Sequence, residues 1–138
     1  MKNKKNISFD FDGTLDDEFD GGYNISKEEI QSLAKKYVDD GHDVCIITKR
    51  FDSNNRHLGK VNEHLIVYEL AKELGIDKIY FTNREMKFSH IIKLGIEMHF
   101  ENSDYEVQLI NQACKQNNHK CVVVPVEEAN WRDFILGE

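Results

Sequence analysis

The chain has 138 residues, of which 40% are hydrophobic and 31% are charged, as in an ordinary globular protein that forms one domain over residues 1–138. Its formal net charge of −7 argues against a general role in coating nucleic acids, which requires a basic surface, although a local basic pocket stays compatible with it. No run approaches the roughly 20 apolar residues of a membrane span, and the early lysines are not followed by the apolar core of a signal peptide.

Short apolar runs alternate with amphipathic segments along the whole chain. They predict strands at 7–11, 44–47, 79–81, 96–100 and 121–124, the last stopped by the only proline. The predicted helices lie between the N-cap Ser26 of a Ser26-Lys27-Glu28-Glu29 capping box and Gly41, at about 60–74, at about 87–94, and around 107–114. We expect the tail to pack back on the body through Trp131 and Phe134. This alternation predicts an α/β fold with a single doubly wound, Rossmann-like parallel sheet of about five strands and helices on both faces.

Polar side chains follow the predicted strands at the point where each strand ends. In open parallel sheets, ligands bind outside the carboxyl ends of the strands, at a topological switch point. The residues predicted at or just after such ends are Asp10, Asp12, Thr48, Asn83, Lys87, Glu101 and Asn102. The pattern therefore predicts a functional site at this edge of the sheet.

Asp10 and Asp12 leave the first strand on the same side, because side chains repeat with period two along a strand. Two close carboxylates repel each other, and a divalent cation such as Mg²⁺ or Ca²⁺ is the usual remedy. A calcium loop of the EF-hand kind fits poorly, since Leu15 stands where the sharp turn needs glycine. A solvated acidic turn without chemistry is the second interpretation, and a nucleophilic aspartate with a neighbouring acid/base aspartate is the third.

The run Asp10-Phe11-Asp12-Gly13-Thr14-Leu15 after an apolar strand resembles the first motif of the haloacid dehalogenase-like (HAD) superfamily of phosphatases and phosphotransferases. The resemblance implies that Asp10 is the nucleophile that forms an aspartyl-phosphate and that Asp12 is the general acid and base. An acid at position 12 favours a phosphatase or phosphomutase within this superfamily. The resemblance also implies a Mg²⁺ cofactor.

Three further positions fit the later motifs of this superfamily. Thr48 matches the Ser or Thr that hydrogen-bonds the phosphoryl group, and Lys87 matches the lysine that neutralises the aspartate and phosphate charges, with Lys78 as a rival at the opposite edge. Glu101 and Asn102 stand where the family usually has two acids, so the implied metal ligands are Asp10, Asp12, Asn102 and Glu101. Asp104 is either a compensating ligand or the N-cap of the following helix.

The basic residues near the expected mouth of the site are Lys49, Arg50, Arg56 and Arg84. Together they indicate an anionic substrate beyond the phosphoryl group, such as a nucleotide or a nucleic-acid end, and we expect Lys49 to bind substrate phosphate. The negative charges of the loop at 16–20 would repel a long polyanion, which argues against such a substrate. Because the next helix begins almost at once after this loop, we expect no inserted lid domain.

The predicted function is a lidless, magnesium-dependent phosphatase with no membrane contact, whose partner is a phosphorylated small molecule or a nucleotide or nucleic-acid end. One alternative is a receiver-like signalling domain, whose phosphorylated aspartate would follow a later strand. Another is a catalytically weak phosphate- or nucleotide-binding module, which the amide at Asn102 makes plausible. Cys45, Cys114 and Cys121 lie in apolar segments without disulfide or zinc spacing, which favours reduced thiols and a cytoplasmic location.

Overall fold

A computed structural model describes residues 4–16, 27–52 and 64–135 of the chain. The strands are β1 (Asn6–Phe9), β2 (Asp43–Thr48), β3 (Lys78–Phe81), β4 (Met98–Glu101) and β5 (Val122–Pro125). The helices are α1 (Lys27–Asp39), α2 (Leu65–Leu74), α3 (Phe88–Lys93) and α4 (Asp104–Gln116), followed by a short 3₁₀ helix over Trp131–Ile135. None of the helices in these three ranges has both the length and the apolar character needed to cross a lipid bilayer.

The five strands form one sheet in the order β3-β2-β1-β4-β5, and every neighbouring pair is parallel. From β1 the chain moves outward through β2 to β3, and then returns to the other side of β1 as β4. This reversal makes the carboxyl ends of β1 and β4 the topological switch point, where such sheets leave a crevice for ligands. The predicted α/β fold with a single five-stranded parallel sheet is confirmed.

Helices cover both faces of the sheet, because the strand side chains alternate between two hydrophobic clusters. The first cluster joins α1, α2 and the 3₁₀ helix to strand residues such as Phe9, Ile46 and Phe100. The second joins α3 and α4 to Cys45, Ile47 and Val123. The continuous apolar run of β2 is thus buried on both faces, as is usual for an inner strand of a parallel sheet.

Several predicted boundaries are wrong by one or two residues, and β1 ends at Phe9 rather than at Phe11. Ser103, rather than Asp104, is the N-cap of α4, since its side chain accepts a hydrogen bond from the backbone N–H of Glu106 at 3.3 Å. Pro125 is the last residue of β5 and not the residue after it. The Ser26 capping box, most of the acidic loop with its expected absence of a lid, Arg56 and the start of the second predicted helix lie outside the described residues.

The tail packs on the sheet through one of the two expected aromatic residues. Trp131 is 1% exposed and belongs to the first hydrophobic cluster, as predicted. Phe134 is 40% exposed, so the expectation that it is an anchor is wrong. In a 3₁₀ helix the side chains at 131 and 134 lie on the same side, so the difference in their burial does not come from the helix period.

We expect Trp131→Ala to lower the free energy of unfolding by about 3–5 kcal/mol, because it removes a fully buried ring and leaves a cavity. Phe134→Ala, in the same helix, should cost about 1 kcal/mol or less. Urea denaturation of both variants measures the difference. Equal losses in the two variants would contradict the assignment of Trp131 as the anchor of the tail.

Candidate active site at the carboxyl edge of the sheet

Three buried charged side chains meet at the switch point. Lys87 Nζ lies 2.8 Å from Asp10 Oδ1 and 2.8 Å from Glu101 Oε1. Asp10 directly follows β1, Glu101 ends β4, and Lys87 directly precedes α3. All three residues are at most 4% exposed, so the charges are compensated almost entirely by one another. We call these three residues the Lys87 cluster.

The backbone holds Asp10 and Glu101 side by side. Phe9 pairs with Phe100 in register, and the N–H of Asp10 donates to the carbonyl of Phe100 at 2.9 Å, which extends the ladder by one residue beyond β1. The rings of Phe9 and Phe100 stack with their centroids 4.4 Å apart on the other face of the sheet. The two carboxylates therefore stand on a rigid, hydrogen-bonded base.

The shared burial shifts the pKa values of all three groups. Burial, and then the charge of Glu101, raise the pKa of Asp10 to about 7 although Lys87 opposes this. Burial also raises the pKa of Glu101 above its ordinary value against the effect of Lys87. Burial alone lowers the pKa of Lys87, but the charges and hydrogen bonds of the two acids outweigh it, so its pKa lies above the ordinary value. The two acids compete for a single ammonium group.

A tight turn carries Asp12 away from the buried cluster. The backbone N–H groups of Thr14, Leu15 and Asp16 all point at the carbonyl of Phe11, and Gly13 supplies a positive φ of 79°. Phe11 and Leu15, both 0% exposed, fix the two ends of this turn in the core. The hydroxyl of Thr14 donates to the second oxygen of Asp10 at 3.2 Å.

Asp12 is paired with Arg50 instead of standing free beside Asp10. Arg50 Nε lies 3.0 Å from Asp12 Oδ2, and its terminal nitrogen lies 2.7 Å from Asp12 Oδ1. The guanidinium also stacks over the ring of Phe11, 5.1 Å from its centroid. Arg50, predicted only to lie near the mouth, thus contacts a predicted catalytic residue in a two-point ion pair.

Thr48, predicted to bind phosphate, ends β2 and is fully buried. Its hydroxyl oxygen accepts a hydrogen bond from the N–H of Arg50 at 3.3 Å and so shapes the turn that aims Arg50 at Asp12. The loop after β3 is joined to this turn, since Arg84 N–H donates to the carbonyl of Lys49 at 2.7 Å. Asn83 and Arg84 take positive φ values of 55° and 73°, a strained pair of the kind found at functional sites.

Lys49 is turned toward the protein. Its Nζ lies 2.9 Å from Oε2 of Glu106, an acid on α4 that is only 2% exposed. The expectation that Lys49 contacts substrate phosphate competes with this ion pair, since a buried carboxylate holds its counter-charge strongly. Glu106 was not predicted. Its position four residues before Ile110, on the apolar face of the helix, is the signal that marks it as buried.

A second unpredicted pair lies beneath Glu101. His99 Nε2 lies 2.9 Å from Glu101 Oε1, and His99 Nδ1 lies 2.7 Å from the hydroxyl of Ser8. Both His99 and Ser8 are 0% exposed, and burial followed by the charge of Lys87 lowers the pKa of His99 to about 3. The signal in the sequence is that positions 99 and 101 share one face of a strand.

The oxygen donors of the site suit Mg²⁺, which typically binds one or two carboxylates and retains several waters. Asp10, Asp12 and the partly exposed Asn102 can supply such donors. In the three ranges that the structure describes, no group of three or more His, Cys, Asp or Glu side chains is arranged to hold a metal ion. Glu101 is the least suited of the predicted ligands, because it is 1% exposed and its two oxygens contact three groups, Lys87, His99 and the N–H of Ser103.

No protein-family model matches the chain, and no curated protein matches it.

We expect Asp10→Asn to raise the free energy of unfolding of the metal-free protein by about 0.5–2 kcal/mol at pH 7–8. The pKa of Asp10 is about 7 in the folded state, above the ordinary value of 3.8, so the folded state binds the extra proton between these pH values. The stability of the wild-type protein therefore falls as pH rises from about 4 through 7. The titratable groups that act on the carboxyl of Asp10 are Lys87, Glu101 and His99.

The measurement is urea denaturation in a chelating buffer from pH 5 to pH 8. The gain from Asp10→Asn should shrink toward pH 5, where the wild-type carboxyl is protonated. Asp40→Asn is the control, because Asp40 is an exposed partner of Lys36 at 3.0 Å and should leave the pH dependence unchanged. A uniform loss of stability at every pH would contradict the assignment of Asp10 as a strained buried acid.

Proposed function

We propose that the protein is a magnesium-dependent phosphatase that hydrolyses phosphate monoesters through an aspartyl-phosphate on Asp10. The observation that carries this proposal is the Lys87 cluster at the switch point, with a second acid, Asp12, two residues beyond the first. The HAD resemblance of residues 10–15 supports it independently. A buried carboxylate beside a lysine is chemically suited to accept a phosphoryl group, whose charge the ammonium then shares.

The reaction proceeds in two displacements. An oxygen of Asp10 attacks phosphorus, the ester P–O bond breaks, and Asp12 gives a proton to the departing alcohol oxygen. Asp12 then takes a proton from a water molecule, whose oxygen attacks phosphorus and releases inorganic phosphate with the Asp10 carboxylate restored. Division into two steps matters because hydrolysis of phosphate monoesters can need up to about 10²¹-fold acceleration.

The neighbours of Asp10 fit these roles. Lys87 holds Oδ1 and Thr14 holds Oδ2, so the carboxylate plane is fixed before a substrate arrives. The Asp12 side chain is 31% exposed and therefore accessible to a leaving group or a water molecule. To exchange a proton, Asp12 must release at least one hydrogen bond from Arg50, which then becomes available to the substrate. Mg²⁺ held by Asp10, Asp12 and Asn102 would neutralise charge on the nucleophile and the phosphoryl group.

The substrate class follows from the charges around the opening. Arg50 and the exposed Arg84 lie on the loops after β2 and β3, which are hydrogen-bonded to each other. They favour a phosphorylated small molecule, nucleotide or nucleic-acid end with a further anionic group. The free thiols Cys45, Cys114 and Cys121 support a reducing compartment such as the cytoplasm.

Two alternatives fit less well. Receiver domains have the strand order 2-1-3-4-5, whereas this sheet has the order 3-2-1-4-5, and β3 is followed by Thr82 and Asn83 instead of an acceptor aspartate. A phosphate-binding module without turnover is favoured by one observation, the pairing of both Asp12 oxygens with Arg50. Calorimetry with inorganic phosphate and Mg²⁺, compared with turnover, separates binding from catalysis.

We expect hydrolysis of p-nitrophenyl phosphate to require Mg²⁺ and to fall by a factor on the order of 10⁴ or more in Asp10→Asn, which removes the nucleophile. Asp12→Asn should lower kcat by about 10²–10⁴-fold, the usual contribution of a general acid and base. Steady-state kinetics with and without chelator measure both effects, with Asp40→Asn as the unchanged control. Full turnover in chelator or in Asp10→Asn would contradict the proposal.

The substrate class is tested by a screen of nucleotides, sugar phosphates and 3′-phosphorylated oligonucleotides. Phosphate release is measured for the wild-type protein and for Asp10→Asn, so that contaminating phosphatases are recognised. A preference for substrates with a second anionic group is expected, and Arg84→Gln should weaken that preference through KM. Equal activity on all three classes would contradict a role for the basic residues at the opening.

A further inference from the structure

A chain of hydrogen bonds continues from the Lys87 cluster into the interior of the sheet. It runs from Lys87 Nζ to Glu101 Oε1 at 2.8 Å, from Glu101 Oε1 to His99 Nε2 at 2.9 Å, and from His99 Nδ1 to Ser8 Oγ at 2.7 Å. Every residue in this series is at most 2% exposed. His99 and Ser8 take no part in the two displacements of the proposed reaction.

The surroundings make a purely structural explanation of this pair inadequate. His99 and Ser8 lie on the face of the sheet that carries the second hydrophobic cluster, whose strand residues include Ile47 and Val123. A polar pair at such a place gives no clear stability advantage over well-packed apolar residues. Ser8 and His99 stand opposite each other in the β1–β4 register, which places them directly beneath Asp10 and Glu101. Their location links them to the site and not to the core alone.

We propose that His99 is a positioning residue, which donates a hydrogen bond from Nε2 to Glu101 and through Glu101 keeps Lys87 beside Asp10. This inference rests on the proposed function. The direction of the bonds follows from chemistry, because a carboxylate can only accept, so His99 Nε2 carries the hydrogen. His99 Nδ1 then accepts from the hydroxyl of Ser8, which fixes the tautomer.

The need for such support comes from the flexibility of the two long side chains. Lys87 Nζ lies 2.8 Å from an oxygen of each acid, and a Glu101 side chain without further hydrogen bonds would be able to rotate and draw the ammonium away from Asp10. His99 fixes one oxygen of Glu101, and the N–H of Ser103 holds the other at 3.3 Å. Side chains that orient a group in contact with the reacting atoms commonly change activity about 10–100-fold when removed.

The first test does not depend on activity. In the metal-free protein, ¹⁵N NMR of the imidazole rings, assigned with His99→Gln, should show His99 as the Nε2–H tautomer with a bare Nδ1. Ser8→Ala should disturb this tautomer signal while the protein remains folded. A His99 ring protonated at Nδ1 instead of Nε2, or exchanging freely between tautomers, would overturn the proposal whether or not the protein is a phosphatase.

The second test is kinetic. His99→Phe, which removes the donor but keeps a ring, should lower kcat for p-nitrophenyl phosphate about 10–100-fold with KM changed less than about 3-fold. His99→Gln, which keeps a donor near the Nε2 position, should recover most of kcat. His119→Gln is the matched control, because His119 bonds the carbonyl of Ile96 away from the Lys87 cluster and should leave kcat unchanged.

The outcomes separate the two proposals. A wild-type protein without turnover that still shows the Nε2–H tautomer contradicts the phosphatase and leaves the hydrogen-bond direction supported. An active wild-type protein with unchanged kcat in His99→Phe contradicts the positioning role alone. If His99→Phe does not fold, the kinetics of Ser8→Ala decide the question, with an unchanged kcat overturning the proposal.

Discussion

The contact of one buried lysine with two carboxylates from neighbouring strands is the constraint on which the site depends. Lys87 joins β1 to β4 at the place where the order of the described strands reverses. Neither acid has enough water around it to be stable alone, and the ammonium cannot be buried without them. The cluster therefore exists only as a unit, and the fold supplies the unit by aligning two strand ends.

Much of this arrangement can be predicted from the sequence, because it follows from strand ends. Predicted apolar strands end close to Asp10, Thr48 and Glu101, and parallel strands bring their carboxyl ends to one edge. The position of Lys87 just before a helix can also be predicted from the sequence. The sequence does not determine which oppositely charged side chain each charged residue pairs with. Asp12 is bound by Arg50 and Lys49 by Glu106, and both choices depend on loop conformations and helix orientation.

The unpredicted histidine shows a second limit of sequence reasoning. His99 lies among six scattered histidines and has no metal-ligand spacing, yet it is bonded to a serine 91 positions earlier. That relation is created by strand register, which the alternating pattern of β4 restricts but does not determine. The exchange of Asp104 for Ser103 as the helix cap has a simpler cause, because both residue types cap helices well and only the backbone decides between them.

The stacking of Arg50 on Phe11 has a consequence for the selectivity of the opening. The guanidinium contacts the ring as well as Asp12, and the ring would keep it in place if it turned toward an anion, as the proposed function requires. Asp12 then acts as a built-in competitor for every such anion. In the proposed enzyme, only molecules in which Arg50 has released Asp12 can bind such an anion through Arg50, and this lowers the apparent affinity of every such ligand by the same factor.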